Sequence, residues 1–392
     1  MQLIEKHIIK KSDKIFIELY NVCGLSKNLY NVGLYEVRQH YFNEKKFLNY
    51  VNLNNKLVAD KQFDYYKLPS KVSQQTLKIV EQNFKSFFGS LKAKQKGKKV
   101  KLPKYLNKKG KFITTYTNQA ISKKELKNGF IKLSGTDIKI KTNVKDVQQV
   151  RIVPKIDSIN VEVIYNVTTK QMLSNNNRYC SIDLGLNNLA TVASNVIKPI
   201  IINGKPIKNI NQHYNKSKAA LQSKLTDNKT SKLIQQISRK RNNKIDDYLH
   251  KTSRYIINHL VSNSINTLVV GYNKEWKQEI NIGKKNNQNF VNIPYHKFLH
   301  MLRYKTQLEG ITMILNEESY TSKCSFLDDE EVMKHDEYLG RRTKRGLFKS
   351  STGKLINADL NGALNILKKV IGKFNYNSIV ACSTPRIITH KR

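Results

Sequence analysis

Two aspartates stand where a folded sheet could present them to a cation. Asp183 closes an apolar run, Tyr179-Cys-Ser-Ile-Asp183, followed by the turn Leu-Gly-Leu-Asn-Asn and a second apolar run, Leu189-Ala-Thr-Val-Ala193. This reads as a strand with one carboxylate at its end, a Gly/Asn turn and a second strand. Asp359 lies in Ile356-Asn-Ala-Asp359-Leu-Asn-Gly-Ala-Leu-Asn365, near the C-terminus. A carboxylate at a sheet edge is a hard oxygen ligand suited to a divalent cation. Asp-x-Gly turns are also common between strands, so the first segment alone does not fix that role.

The elements that must position these residues follow from hydrophobic periodicity. After the two strands comes a third, Pro199 to Ile202, and then a long polar helical stretch ending in Ile245, Leu249, Ile256 and Leu260. Thr267-Leu-Val-Val270 is a continuous apolar strand suited to a buried parallel sheet. A helix over about Tyr295 to Leu308 and a strand from Ile311 to Leu315 complete a βββαβαβ order, that of the ribonuclease H-like fold. Upstream, residues 1–20 read as a strand, with Ile15, Ile17 and Leu19 alternating. Ser26 offers an N-cap to a helix carrying Tyr30, Leu34, Val37 and Tyr41. A second helix enters after Pro69 and carries Val72 to Leu91. Period-two patterning from about 110 to 170 suggests a small β-barrel, which the first strand would join.

Seventy Lys and Arg face 29 Asp and Glu among 392 residues, a formal charge of +41. That excess points to a polyanionic partner, with nucleic acid the default. Codon bias toward Lys explains Lys over Arg but not basic over acidic. The four cysteines, Cys23, Cys180, Cys324 and Cys382, show no paired ligand spacing and no disulfide framework. With no apolar run of about 20 residues and no signal-peptide core, the chain is expected to be cytoplasmic, associated with the bacterial nucleoid.

Three segments resemble one family. They are Ser181-Ile-Asp183-Leu-Gly-Leu-Asn-Asn-Leu189, Tyr320-Thr-Ser-Lys-Cys-Ser325 and Asn357-Ala-Asp359-Leu-Asn-Gly-Ala-Leu-Asn-Ile366. The chain resembles TnpB, the OrfB-type product of insertion sequences, nearly end to end. The resemblance implies an RNA-guided DNA endonuclease with one RuvC-like site. It implies an α+β multidomain fold: an RNase H-like (RuvC) α/β nuclease core, an N-terminal wedge β-barrel and an inserted helical recognition module. The expected organisation is 1–20 for the first barrel strand, 21–105 for the helical module and 106–172 for the barrel. The RuvC-like core follows over 173–320. A degenerate zinc-ribbon-like, target-binding insertion over 321–355 precedes the core's end and tail, 356–392.

The family's chemistry requires three carboxylates around divalent metal, Mg²⁺ with Mn²⁺ as a possible substitute. The first and third positions match Asp183 and Asp359. The second is a Glu just after the fourth strand, where this chain has Gly271. Either the site is dead, or the carboxylate has moved. The next strand ends in Glu317-Glu318, and parallel neighbours lie about 4.8 Å apart, so a Glu there could reach the same metal. Strand alternation admits only one of the two; Glu318 is favoured, with Glu317 the alternate, and both could instead cap a solvent-facing loop. Glu275 and Glu279 are weaker candidates.

The resemblance also implies two Cys-x-x-Cys pairs, yet Cys324 stands alone and Phe348-Lys-Ser-Ser-Thr-Gly353, upstream of Asp359, has no cysteine. One cysteine cannot hold a structural zinc, so no zinc is expected. His335, Asp328, Asp329, Glu330 and Glu331 read as a solvated loop in place of the ribbon. Nucleic-acid contacts are expected at Lys98 and Lys99, at Lys274, Trp276 and Lys277, at Lys284 and Lys285, and at Arg345. Tyr30, Asn31, Arg38 and Gln39 match the region that reads the motif beside the target. The expected partners are a guide (omega-type) RNA and a double-stranded DNA target, with no membrane, the protein being a monomer on its RNA. Two other readings stay open: a nuclease-dead RNA-guided repressor, and a resolvase or transposase that needs no RNA.

Overall fold

The structure, a computed structural model, describes all residues except 94–99, 227–229, 274–282, 375–384 and 391–392, and the side chains of 284–286 and 289. It divides into two compact units, Met1–Val167 and Thr168–Arg392.

The first unit begins with β1 (Gln2–Lys10) and continues through α1 (Phe16–Glu44), α2 (Tyr50–Ala59), α3 (Phe63–Tyr66) and α4 (Ser70–Lys92). Then come β2 (Thr114–Thr117), α5 (Lys123–Lys127), β3 (Phe130–Lys132), β4 (Lys139–Lys141), β5 (Val147–Pro154) and β6 (Ser158–Asn166). The strands form a four-stranded sheet, β1-β6-β5-β2, and a separate β3-β4 ribbon. The expected barrel is therefore an open sheet plus a ribbon among the described residues. The first strand is also half the expected length. Ile15, Leu19, Val22 and Cys23 recur at helical spacing, so α1 starts at Phe16 and runs through Ser26. Five alternating residues fit either period, and burial of that stripe decides for the helix. Ser26 caps nothing; it is fully buried and donates to the Ile113 carbonyl at 2.9 Å.

The second unit opens with β7 (Tyr179–Leu184), β8 (Asn188–Ser194) and β9 (Ile200–Asn203), then α6 (Lys205–Gln222) and α7 (Lys232–Ser262). β10 (Thr267–Gly271), α8 (Lys284–Val291), α9 (Tyr295–Leu308) and β11 (Thr312–Asn316) follow. The chain ends in β12 (Arg341–Lys344), β13 (Leu347–Lys349), β14 (Leu355–Asn357), α10 (Ala358–Ile371) and β15 (Arg386–Ile388). Six strands make one sheet, ordered β11-β10-β7-β8-β9-β15. β10 runs parallel to both β7 and β11, while β8 is antiparallel to β7 and β9. Buried on both faces, β10 has Leu268, Val269 and Val270 all fully enclosed, hence its unbroken apolar sequence. α10 packs across β7, β8 and β10. Among the described residues no helix is long and apolar enough to cross a membrane.

Candidate functional site

The site forms where β7, β10 and β11 end side by side and α10 begins. Register fixes this: Val270 pairs with Ile182, and Gly271 pairs with Asn316. Asp183 therefore leaves β7 at the level where β10 gives out. Asn357 caps α10, its side chain accepting from the backbone N–H groups of Asp359 and Leu360 at 3.0 and 3.1 Å. Asp359 then sits in the first turn, where the helix dipole favours a negative charge. One turn on, Gly362 lets the helix lie against β7. A Cβ there would stand 3.0 Å from Asp183 Oδ2.

Glu318 comes to the same place from β11. A Cβ built on Gly271 would lie 2.7 Å from Glu318 Oε2 and 2.5 Å from Ile366 Cδ1. The absence of a side chain at Gly271 is thus what admits the Glu318 carboxylate. Asn273 holds it from both sides: its Oδ1 accepts from Glu318 N at 3.1 Å, and its Nδ2 donates to Glu318 Oε1 at 3.4 Å. Glu318 Oε2 is buried with no hydrogen-bond partner. Glu317 is exposed, as alternation requires of its neighbour.

These carboxylates sense one another. Burial pushes Glu318 up to about 7. Asp183 is held well above the usual carboxylate range, first by burial, then by Glu318 and Asp359, against the opposing pull of Arg342. Asp359 is already engaged. Arg342 Nη2, from β12, meets its Oδ1 at 3.2 Å, and Asn188 Nδ2 donates to its Oδ2 at 2.6 Å. Among the described residues no three His, Cys, Asp or Glu side chains stand in a metal-holding group. The donor set nevertheless suits a hard divalent cation: three acidic side chains, one carboxylate oxygen orphaned and, among the described residues, the Arg342 guanidinium in partial compensation. Sequence reasoning missed Asn188, Asn273, Arg342 and Gly362. Asn188 and Gly362 lie inside the resemblance motifs, so position was available there even though role was not.

The loop between β11 and β12 is only in part the solvated stretch expected. Glu330 is buried, and its carboxylate accepts from Ser325 N at 2.6 Å and Leu339 N at 3.0 Å. Asp328 accepts from the Ser325 hydroxyl and from the N–H and hydroxyl of Ser351. Fully buried Asn361 and Asn365 of α10 both donate to the Cys324 carbonyl at 2.8 Å. A fixed loop exposes backbone N–H groups that need acceptors, and carboxylates supply them here. Asp329 is exposed and pairs with Lys368 and Lys373, Glu331 is exposed, and His335 is half-buried. Glu330→Gln should lower stability by about 1.5–3 kcal/mol, the range for hydrogen bonds to a charged group. It should also raise hydrogen exchange over 321–340, whereas a zinc-selective chelator should leave the melting temperature of the parent unchanged.

The remaining expected contacts divide. Tyr30 is buried, its ring tilted against Phe112 at 4.6 Å and its hydroxyl accepting from Asn83 Nδ2 at 2.8 Å. Asn31 is spent on the backbone of Leu106, donating to its carbonyl and accepting from its N–H. A large aromatic on a helix is more often core, and the 3.6-residue stripe puts Tyr30 there. Arg38 lies over the Tyr105 and Phe42 rings, and Gln39 is half-buried beside it. Arg345 is exposed in the β12–β13 turn. Lys98, Lys99, Lys274, Trp276, Lys277, Glu275 and Glu279 lie outside the described residues, as do the side chains of Lys284 and Lys285.

The architecture is a mixed α+β one shared with solved structures. A Cas12f1–sgRNA–target DNA complex aligns with 90% of this chain and 82% of its own, at TM-score 0.55 and 15% identity. The mini-RNA-guided endonuclease CRISPR-Cas_phi3 aligns with 95% and 93%, at TM-score 0.50 and 10% identity. At such identities the likeness is one of fold. The sequence is more specific. The OrfB_IS605 family of probable transposases matches residues 162–277, and the Cas12f1-like TNB domain matches 295–366. TnpB-like protein ORF457 of Acidianus two-tailed virus is 28% identical over 210 residues, half of this chain. TnpB-like protein MJ0751 of Methanocaldococcus jannaschii is 26% identical over 132 residues, a third of it. The matched stretches span 42% and 47% of those relatives' own lengths. Over these stretches the chain is similar to OrfB-type probable transposases and to TnpB-like proteins.

Proposed function

We propose that the protein is an RNA-guided DNA endonuclease of a mobile element, hydrolysing phosphodiesters at a guide-matched target beside a short adjacent motif. The observation that carries this reading is Glu318 in the space Gly271 leaves open. A chain that had merely lost its second carboxylate has no reason to place another one there, one of its oxygens buried without a partner and close enough to Asp183 to raise it. In this reading Asp183, Glu318 and Asp359 hold divalent metal, Mg²⁺ by preference and Mn²⁺ as substitute. Bound metal would activate water and stabilise charge on the leaving oxygen. Asn273 and Asn188 fix the orientation of Glu318 and Asp359, and Gly362 lets α10 approach Asp183. Arg342 balances charge at Asp359 until phosphate or metal takes its place. Similarity to TnpB-like proteins supports the guided mechanism, and one solved structure of similar fold is a Cas12f1–sgRNA–target DNA complex. The formal charge of +41 suits both partners. In this reading the first unit reads motif and guide and the second cuts.

A second reading, a nuclease-dead guided repressor, draws on the engaged state of Asp359 and the lack of a converged ligand group among the described residues. The deciding experiment is cleavage of a plasmid bearing a guide-matched target by the purified protein–RNA complex with Mg²⁺, beside Asp183→Ala. Cutting by the parent alone is expected. Tight target binding with no cutting in Mg²⁺ or Mn²⁺ selects the repressor.

A further inference from the structure

Between α6 and α7 lies a cleft of about 380 Å³ whose rim is cationic. Residues 205–244 carry eleven Lys and Arg against a single acid, Asp227. His213 and Ser217 of α6 are four residues apart, and so are Lys240 and Lys244 of α7, so both pairs face the cleft at helical spacing. Lys240 and Lys244 are exposed and form no ion pair among the described residues. The next acids along α7 are committed elsewhere: Asp246 to Lys297 at 2.5 Å and Asp247 to Lys251 at 2.8 Å.

The walls, in contrast, are fixed. Arg241 donates to Asn211 Oδ1 at 2.8 Å and to the Asn292 carbonyl at 2.6 Å, and lies 5.6 Å from the Tyr214 ring. The Tyr214 hydroxyl meets Ser238 Oγ at 2.9 Å, tying the two helices across the cleft. Rigid walls under free lysines present charge without the ordering cost a mobile site would carry. A solvated helix face would leave lysines free as well, but would not need a guanidinium pinned at the base of a concave surface.

We propose that the α6–α7 cleft binds the phosphodiester backbone of a nucleic-acid strand, with Lys240 and Lys244 as its phosphate contacts. The site is separate from the carboxylates, and its test reads binding alone, so it stands whether or not the protein cuts. Affinity of the full-length protein would be measured against salt for single-stranded RNA, single-stranded DNA and duplex DNA. Lys240→Glu/Lys244→Glu would be compared with the charge-matched pair Lys11→Glu/Lys14→Glu, on the exposed turn after β1. For a single strand the cleft pair should lower the slope of log affinity on log salt by about 1.4, two contacts' worth. The neutral pair Lys240→Gln/Lys244→Gln should do the same, which separates lost contacts from added repulsion. Loss confined to RNA, or to one of the DNA probes, identifies the strand the cleft holds. An equal fall in the control pair, or no fall in either cleft variant on any probe, overturns the proposal.

Discussion

Glu318→Ala is expected to abolish cleavage as fully as Asp183→Ala or Asp359→Ala, while Glu317→Ala cuts like the parent. The loss should be about 10³-fold or more, since losing metal-borne stabilisation of transition-state charge removes several kcal/mol and each ~1.4 kcal/mol is tenfold. Target binding should survive in all of them, because a single carboxylate contributes nothing to a cationic binding surface. Gly271 supplies the internal control. Its Cβ would collide with Ile366 Cδ1 at 2.5 Å as well as with Glu318 Oε2 at 2.7 Å. Gly271→Ala should therefore displace Glu318 and cost about 1–3 kcal/mol by overpacking. For the same reason, Gly271→Glu with Glu318→Ala should stay inactive until Ile366 is trimmed to Ala. If Glu318→Ala and Glu317→Ala both cut normally, the second carboxylate is not at this strand end. If only Glu317→Ala is dead, relocation stands and the choice within the pair was wrong.

Divalent cation should raise the melting temperature, and should do so more at about pH 8 than at about pH 6, because protons and metal compete for the same carboxylates. The sign follows from Glu318, whose carboxyl is pushed from an ordinary 4.5 up to about 7 by burial. A carboxyl raised on folding stabilises the fold fully below its unfolded value and loses that contribution as pH rises through its folded one. The metal-free protein should thus weaken between about pH 4.5 and 7, and Asp183 shifts in the same direction. Bound cation should restore what deprotonation removes. Glu318→Gln should flatten the metal-free profile and remove most of the Mg²⁺ increment, read by calorimetry without any substrate. An increment that is independent of pH, or unchanged in Glu318→Gln, would exclude Glu318 as a ligand.

Much of the second unit could be read directly from residues. The helix over Tyr295 to Leu308 and the strand that follows carry unambiguous periodicity, and β10 is apolar throughout because both its faces are covered. Asp183 and Asp359 were visible because their segments combine strand, turn and cap signals with a family motif. The first unit was harder. Residues 15–19 satisfy two periods at once, and Tyr30 carries the same side chain whether it reads a base or fills a core. The loop around Glu330 misled because acidic residues are usually solvated, and nothing local announces the backbone N–H groups they will serve.

By itself, then, the sequence determined the basic character of the protein, the two aspartates at element ends, the lone cysteine and the vacancy at Gly271. Composition and local pattern suffice for these because each is a property of neighbours along the chain. Only the tertiary structure decided that Glu318 rather than Glu317 fills the vacancy, and that Arg342 and Asn188 engage Asp359. It alone turned Asp328 and Glu330 inward to brace their loop. These outcomes depend on the parallel register of β10 with β11 and on the approach of α10 over β7. Both are set by burying apolar faces from distant parts of the chain, which no local window of residues contains.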